Sequence, residues 1–190
     1  MRRQVLGALS MFTIFVAVVG FATDVLGETV RWDLVLVVQD TAIAGGANVA
    51  TDLNVMDTIT MTGSGQANPV VADATGGGLF THRRADGSEV AHGVYVVTNF
   101  IGWSAAGGTR LAPDGIGHAD EARAGELRMG VRLFPEGGSP SDGVFTVHCD
   151  LPGAAYKIWE GVSLIIGPVV FQQPTPPDPP QGVTLFHVHP

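Results

Sequence analysis

Beyond residue 28 the chain alternates between apolar and polar positions. In Glu126 to Phe134, Leu127, Met129, Val131 and Leu133 share one side, while Glu126, Arg128 and Arg132 take the other. That period of two is what a half-buried strand requires. Thr29 to Asp40 is a run rich in Val and Leu, and Asn54 to Thr62 alternates up to Gly63-Ser64-Gly65. Gly78 to Arg84 and Glu89 to Ile101 flank Ala85-Asp86-Gly87-Ser88. An Asp-Gly between two such runs signals a hairpin. Val144 to Leu151, Tyr156 to Phe171 and Gly182 to His189 complete the set. The one helix candidate is Asp120 to Gly125, which has no apolar stripe. The pattern predicts an all-β domain of about eight antiparallel strands, closed as a barrel or curved sandwich. Gly161 and Gly167-Pro168 inside the Tyr156–Phe171 run suit a strand bent at corners or bulged.

The first 27 residues follow a different pattern. Arg2 and Arg3 precede an uncharged stretch from Val5 to Ala22, and small residues follow. A positive start and an apolar middle predict a secretory signal helix. Cleavage after Gly27 is preferred to cleavage after Ala22, because a strand begins at Thr29. The alternative is an uncleaved anchor, since the run is about the minimum length that spans a bilayer. The expected organisation is therefore 1–27 as signal and 28–190 as a single β domain, secreted or held in the periplasm or cell envelope. Within that domain two connections stand out. Residues 102–125 read as a long Gly- and Ala-rich loop carrying Trp103, Arg110, Asp114, His118, Asp120 and Glu121. Residues 174–180 (PTPPDPP) read as a stiff, extended crossing that lets the last strand dock.

Charge narrows the partners. Removing residues 1–27 leaves 8 basic and 17 acidic residues, a net charge of -9 with neutral His. Phosphate backbones are repelled, so no nucleic acid is expected. A membrane is expected as partner only if the N-terminal segment stays uncleaved. The single cysteine, Cys149, excludes an internal disulfide, so the strands must enclose a sufficient core without one.

No standard catalytic motif is present. Gly76-Gly77-Gly78 lacks a following Lys and reads as a turn rather than a phosphate cradle. The run from Gly143 through His148-Cys149-Asp150-Leu151-Pro152-Gly153 resembles the copper-loop end of small blue-copper proteins. That family places a His just after Pro-Gly and a Met several residues on; this chain has Ala154 and, approximately, Ile158. The ligands that complete such a site are absent, and Cys149 reads as a small core residue. His187 and His189 share one strand face, but a metal site needs a third ligand. No metal or cofactor is expected.

Polar residues on apolar faces are the sharper signal. His92 falls in line with Val90, Val94 and Val96; Asp57 with Val55, Ile59 and Met61; Tyr156 and Glu160 with Ile158, Val162 and Leu164. A buried carboxylate is costly unless paired, and such groups converging in a barrel would make a site. Trp32 shares its face with Leu34 and Leu36 and reads as core; Trp103 opens the long loop; Trp159 has outward parity. A two-residue loop at Asp86-Gly87 would set Arg84 opposite Glu89 and turn His82 and His92 to opposite sides. The first reading is an exported module binding a small, mostly apolar ligand through Asp57, His92, Trp103, Tyr156 and Glu160. The second is a small barrel enzyme of cyclase or isomerase type, with Glu160 or Asp57 as acid/base and Tyr156 or His92 orienting the substrate. The third is a structural module of the cell envelope.

Overall fold

The computed structural model describes residues 28–109, 113–173 and 182–189. The expected signal helix, Arg110 and the 174–180 crossing lie outside them. Alternation translates directly into strands. There are twelve among the described residues: β1 (Thr29–Val38), β2 (Thr41–Ala44), β3 (Ala47–Thr51), β4 (Thr58–Thr62), β5 (Ser64–Asn68), β6 (Asp73–Arg83), β7 (Glu89–Gly107), β8 (Ala122–Pro135), β9 (Ser141–Cys149), β10 (Gly161–Ile166), β11 (Val169–Phe171) and β12 (Val183–His189). The candidate helix is a single 3₁₀ turn, Ala119–Glu121.

Six strands close a ring of antiparallel pairs: β1–β5–β6–β7–β8–β12 and back to β1. The others flank it. β2 pairs β1, β4 and β3 extend from β6, and β9, β10 and β11 extend from β8. The two flanks meet where Thr51 and Gln172 exchange backbone hydrogen bonds of 2.8 and 3.0 Å. The barrel is thus six-stranded, and the extra strands build a second layer. One continuous apolar cluster runs through both, joining Trp32, Tyr95, Met129 and Phe186 of the barrel to Ile59, Phe145, Leu164 and Phe171 of the flanks. Phe145 packs edge-on against both Trp32 and Tyr95, at centroid distances of 6.0 and 5.4 Å.

Several boundaries differ from the sequence expectation, each for a local reason. Gly76-Gly77-Gly78 is strand interior, not a turn. Gly65 and Gly76 pair across β5–β6, and the Trp32 indole lies where side chains at either would stand. Gly167-Pro168 is the tight turn between β10 and β11, not a bend within one strand. Gly167 takes the left-handed backbone such a turn wants at its first position (φ 54°). The stretch 102–107 continues β7, which three bulges bend along its partner β8. The connection expected over 102–125 therefore begins at Gly108 and ends at Glu121.

The β6–β7 hairpin pairs Thr81 with His92 and His82 with Ala91, so the two imidazoles take opposite sides as expected. Its turn is longer than two residues: Gly87 donates to the Arg84 carbonyl at 2.9 Å, Arg84 to the Ser88 carbonyl at 2.8 Å, and Gly87 has φ 83°. A bulge between His82 and Arg83 absorbs the extra residue, so Arg83 rather than Arg84 faces Glu89. Its guanidinium donates to that carboxylate at 3.0 Å.

Candidate functional site

The outward face of β8, β9 and β10 carries the most organised chemistry. Alternation sends Leu127, Met129, Phe145, Val147, Val162 and Leu164 into the core. Their neighbours Glu126, Arg128, Thr146, His148, Ser163 and Ile165 take the other face. Pairing register then does the rest. Glu126 sits directly opposite His148, Arg128 opposite Thr146, and Thr146 opposite Ser163. Gly161 faces His148 on the other side, so Ser163 reaches the imidazole along the diagonal.

The result is a chain of three groups. His148 Nδ1 lies 2.8 Å from Glu126 Oε1, and Nε2 lies 3.2 Å from Ser163 Oγ. A carboxylate only accepts, so Nδ1 carries the proton; Nε2 then accepts and the Ser163 hydroxyl donates. Burial lowers the His148 pKa from its ordinary 6.5, against the opposing pull of Glu126, and Arg128 lowers it further. The imidazole is therefore neutral and basic near neutral pH, with its ring held by the carboxylate.

Two hollows meet at this row. One, of about 290 Å³, is lined by Lys157, Ile158, Trp159, Val170, Gln172 and Gln173; the other, of about 400 Å³, by Ile101, Gly102, Trp103, Ser104, Arg128, Val144 and Thr146. Glu126, His148, Ser163 and Ile165 border both. Lys157 lies over the Trp159 ring, 5.2 Å from its centre, and pairs with Asp150. Gln173 is buried, and its side-chain nitrogen has no partner among the described residues.

The five residues singled out by the sequence lie in different places. Asp57 stands just before β4, 3.2 Å from His82 Nε2, and accepts the Ala85 N–H at 3.2 Å. His92 is exposed, because Val90, Val94 and Val96 form an outward face rather than a core one. It bridges Glu89 and Glu136 at 2.7 and 2.6 Å beside a hollow that includes Leu79 and Val94. These carboxylates, Glu136 foremost, raise its pKa. Trp103 lines the second hollow at the three-group row and packs edge-on against Phe186 at 4.8 Å. Tyr156 is exposed, its hydroxyl 3.5 Å from the Ser104 carbonyl. Glu160 lies beneath β9 and β12. Its carboxylate accepts the Asp150 N–H at 2.6 Å, the Thr184 N–H and the Thr184 hydroxyl at 2.8 Å. Burial outweighs these bonds and pushes its pKa up to about 7. None of the five hydrogen-bonds another among the described residues; Trp103 alone borders the row.

Cys149 is wholly buried, its Sγ 3.4 Å from the Thr184 carbonyl. His187 and His189 each take a carboxylate, Asp114 at 2.9 Å and Glu121 at 3.2 Å. Among the described residues no three metal-ligating side chains gather. Sequence reasoning missed Glu126, His148 and Ser163 as a group. Their outward parity was readable; the pairing of β8 with β9 and β10, which brings them together, was not. Comparison with protein-family models, curated proteins and solved structures gives no match.

Proposed function

We propose that the protein is an exported, single-domain module that binds a small, mostly apolar ligand on the outward face of β8–β10. The observation that carries this reading is the meeting of two hollows at the Glu126–His148–Ser163 row, with Trp103 and Trp159 on their separate walls. Their sizes suit a small organic molecule. Ile101, Ile165, Val170 and the two indoles offer apolar surface, while Gln172, Gln173 and the row offer donors and acceptors that fix orientation. The core shared by the barrel and its flanks is filled by Trp32, Tyr95, Phe145 and Phe186, all fully buried, which makes the outer face the better location for a ligand. The apolar 5–22 segment supports export.

The test is shift mapping by two-dimensional NMR with indole and p-cresol as neutral aromatic probes. Shifts gathered on Trp103, Trp159, His148 and Ser163 are expected, and Trp159→Ala weakens them. Shifts gathered elsewhere, such as around Val94, or none at millimolar probe, overturn the reading.

A further inference from the structure

We infer that Ser163 and His148 form a nucleophilic relay, positioned by Glu126, that hydrolyses carboxylic esters of small acyl groups. This rests on the ligand-binding reading of the same face. Four observations converge on it. The order carboxylate–imidazole–hydroxyl is complete, with separations of 2.8 and 3.2 Å. All three groups stand on neighbouring strands of one sheet, so the ladder rather than a loop holds their geometry. The imidazole is neutral where a general base has to be. The hydroxyl lies where two hollows join, leaving one for the acyl group and the other for the alcohol.

The chemistry closes without a co-reactant other than water. Ser163 Oγ bonds to the acyl carbon as its proton passes to His148 Nε2. The adduct collapses, the bond to the alkoxy oxygen breaks, and His148 returns the proton to the departing alkoxide. Water then gives a proton to Nε2 and attacks the acyl carbon, and Ser163 Oγ leaves with that proton. Glu126 stays ionised throughout and keeps Nδ1–H in place. Charge that builds on the carbonyl oxygen meets Arg128 and Thr146, which occupy the rung running to Ser163 and line the second hollow. Esters are the favoured class because an alkoxide leaves more readily than an amide nitrogen.

The full-length chain is treated with a biotinylated fluorophosphonate and, separately, with p-nitrophenyl acetate. Label recovered on the Ser163 peptide is expected, together with hydrolysis that falls by about 100-fold or more in Ser163→Ala and His148→Ala. Ser163 points outward, so its alanine variant keeps the fold, which the NMR spectrum reads directly. Glu126→Gln is expected to slow turnover and to move the rising limb of the pH–rate profile to lower pH, because Glu126 raises the His148 pKa. A purely structural Glu126 would leave that limb in place. Absence of label on Ser163, or a Ser163→Ala variant as fast as wild type, overturns the relay. If indole still maps to the face in that case, the binding reading stands and the relay alone fails. If indole does not map there, the binding reading fails by its own measurement.

Discussion

The carboxylate of Glu160 takes both the backbone N–H and the hydroxyl of Thr184. That hydroxyl also lies 2.7 Å from the His148 carbonyl, yet it has one hydrogen for two acceptors. A proton on Glu160 resolves the conflict: the acid donates to Thr184 Oγ, which donates to His148. The raised pKa, about 7 against an ordinary 4.5, agrees with this. A carboxyl whose folded pKa is raised binds its proton in the native state while the unfolded chain has lost it. Stability therefore falls as pH rises from 4.5 to about 7 and is flat above. The size is on the order of 3 kcal/mol, at about 1.4 kcal/mol per pH unit. Urea midpoints of wild type and Glu160→Gln, whose amide stands in for the protonated acid, should agree at pH 5 and diverge at pH 8, with the variant the more stable there. A constant gap would contradict the assignment.

Two histidines are expected to titrate on opposite sides of the ordinary 6.5. His92, held by Glu136 and Glu89 in the open, goes up; His148, desolvated against the β8–β10 face, goes down. The linkage signs differ accordingly. The contribution of His92 is full below pH 6.5 and disappears as pH rises through its folded pKa. His148 works the other way: as pH falls below 6.5 the unfolded chain takes the proton first, so the native state loses ground. Imidazole Cε1 proton shifts followed by NMR between pH 4 and pH 9 read both. A His148 midpoint at or above that of His92 would contradict the burial argument.

Parity along a strand was legible in the chain, and register only within the β6–β7 hairpin short of its bulge. Leu127, Met129, Val131 and Leu133 point inward as their spacing requires, and Glu126, His148 and Ser163 point outward for the same reason. Which outward residue meets which depends on where each turn begins, and one bulge changes that, as Arg83 facing Glu89 shows. His92 failed differently. Its line of valines looked like a core face, but the pleat places Tyr95 inside and the valines outside. Apolar residues on an outward strand face leave a single sequence ambiguous. The glycine-rich strands were hidden for a third reason. β5 and the first half of β6 earn their place by letting an indole approach, not by strand propensity.

That approach gives a sharp contrast between glycines. A Cβ on Gly76 would stand 2.8 Å from the Trp32 ring and 2.4 Å from the Ser64 carbonyl oxygen, on a backbone with φ 129°. Gly76→Ala should therefore cost about 2 kcal/mol or more, through overpacking and backbone strain together. Gly102, by contrast, has open space where its Cβ would go. Gly102→Ala should stay within about 0.5 kcal/mol of wild type. Thermal or urea unfolding followed by Trp fluorescence distinguishes them. Equal stability of the two variants would mean that Trp32 does not lie against the β5–β6 pair.

Asp114 and His187 make the last comparison, between a buried pair and an exposed one. The Asp114 and His187 side chains are 2% and 0% exposed and lie 2.9 Å apart. Asp114 also accepts the N–H groups of Ile116 at 2.8 Å and Gly117 at 3.3 Å, so it pins the β7–β8 connection over the outer face of β1 and β12. Burial alone would raise its pKa, but hydrogen bonds from Ile116, His187 and Gly117 together pull it below the ordinary value. Its contribution is present at neutral pH and is lost as pH falls through the folded pKa. Asp114→Ala strands a buried imidazole and two backbone donors, at a cost of about 2 kcal/mol or more. Asp142 holds Arg132 by two bonds of 2.7 and 2.9 Å, but on the open surface. Water replaces what Asp142→Ala removes, so that variant should unfold with the wild type. Urea midpoints at pH 7 test the pair side by side. An Asp114→Ala variant as stable as Asp142→Ala would show that the connection is not anchored through His187.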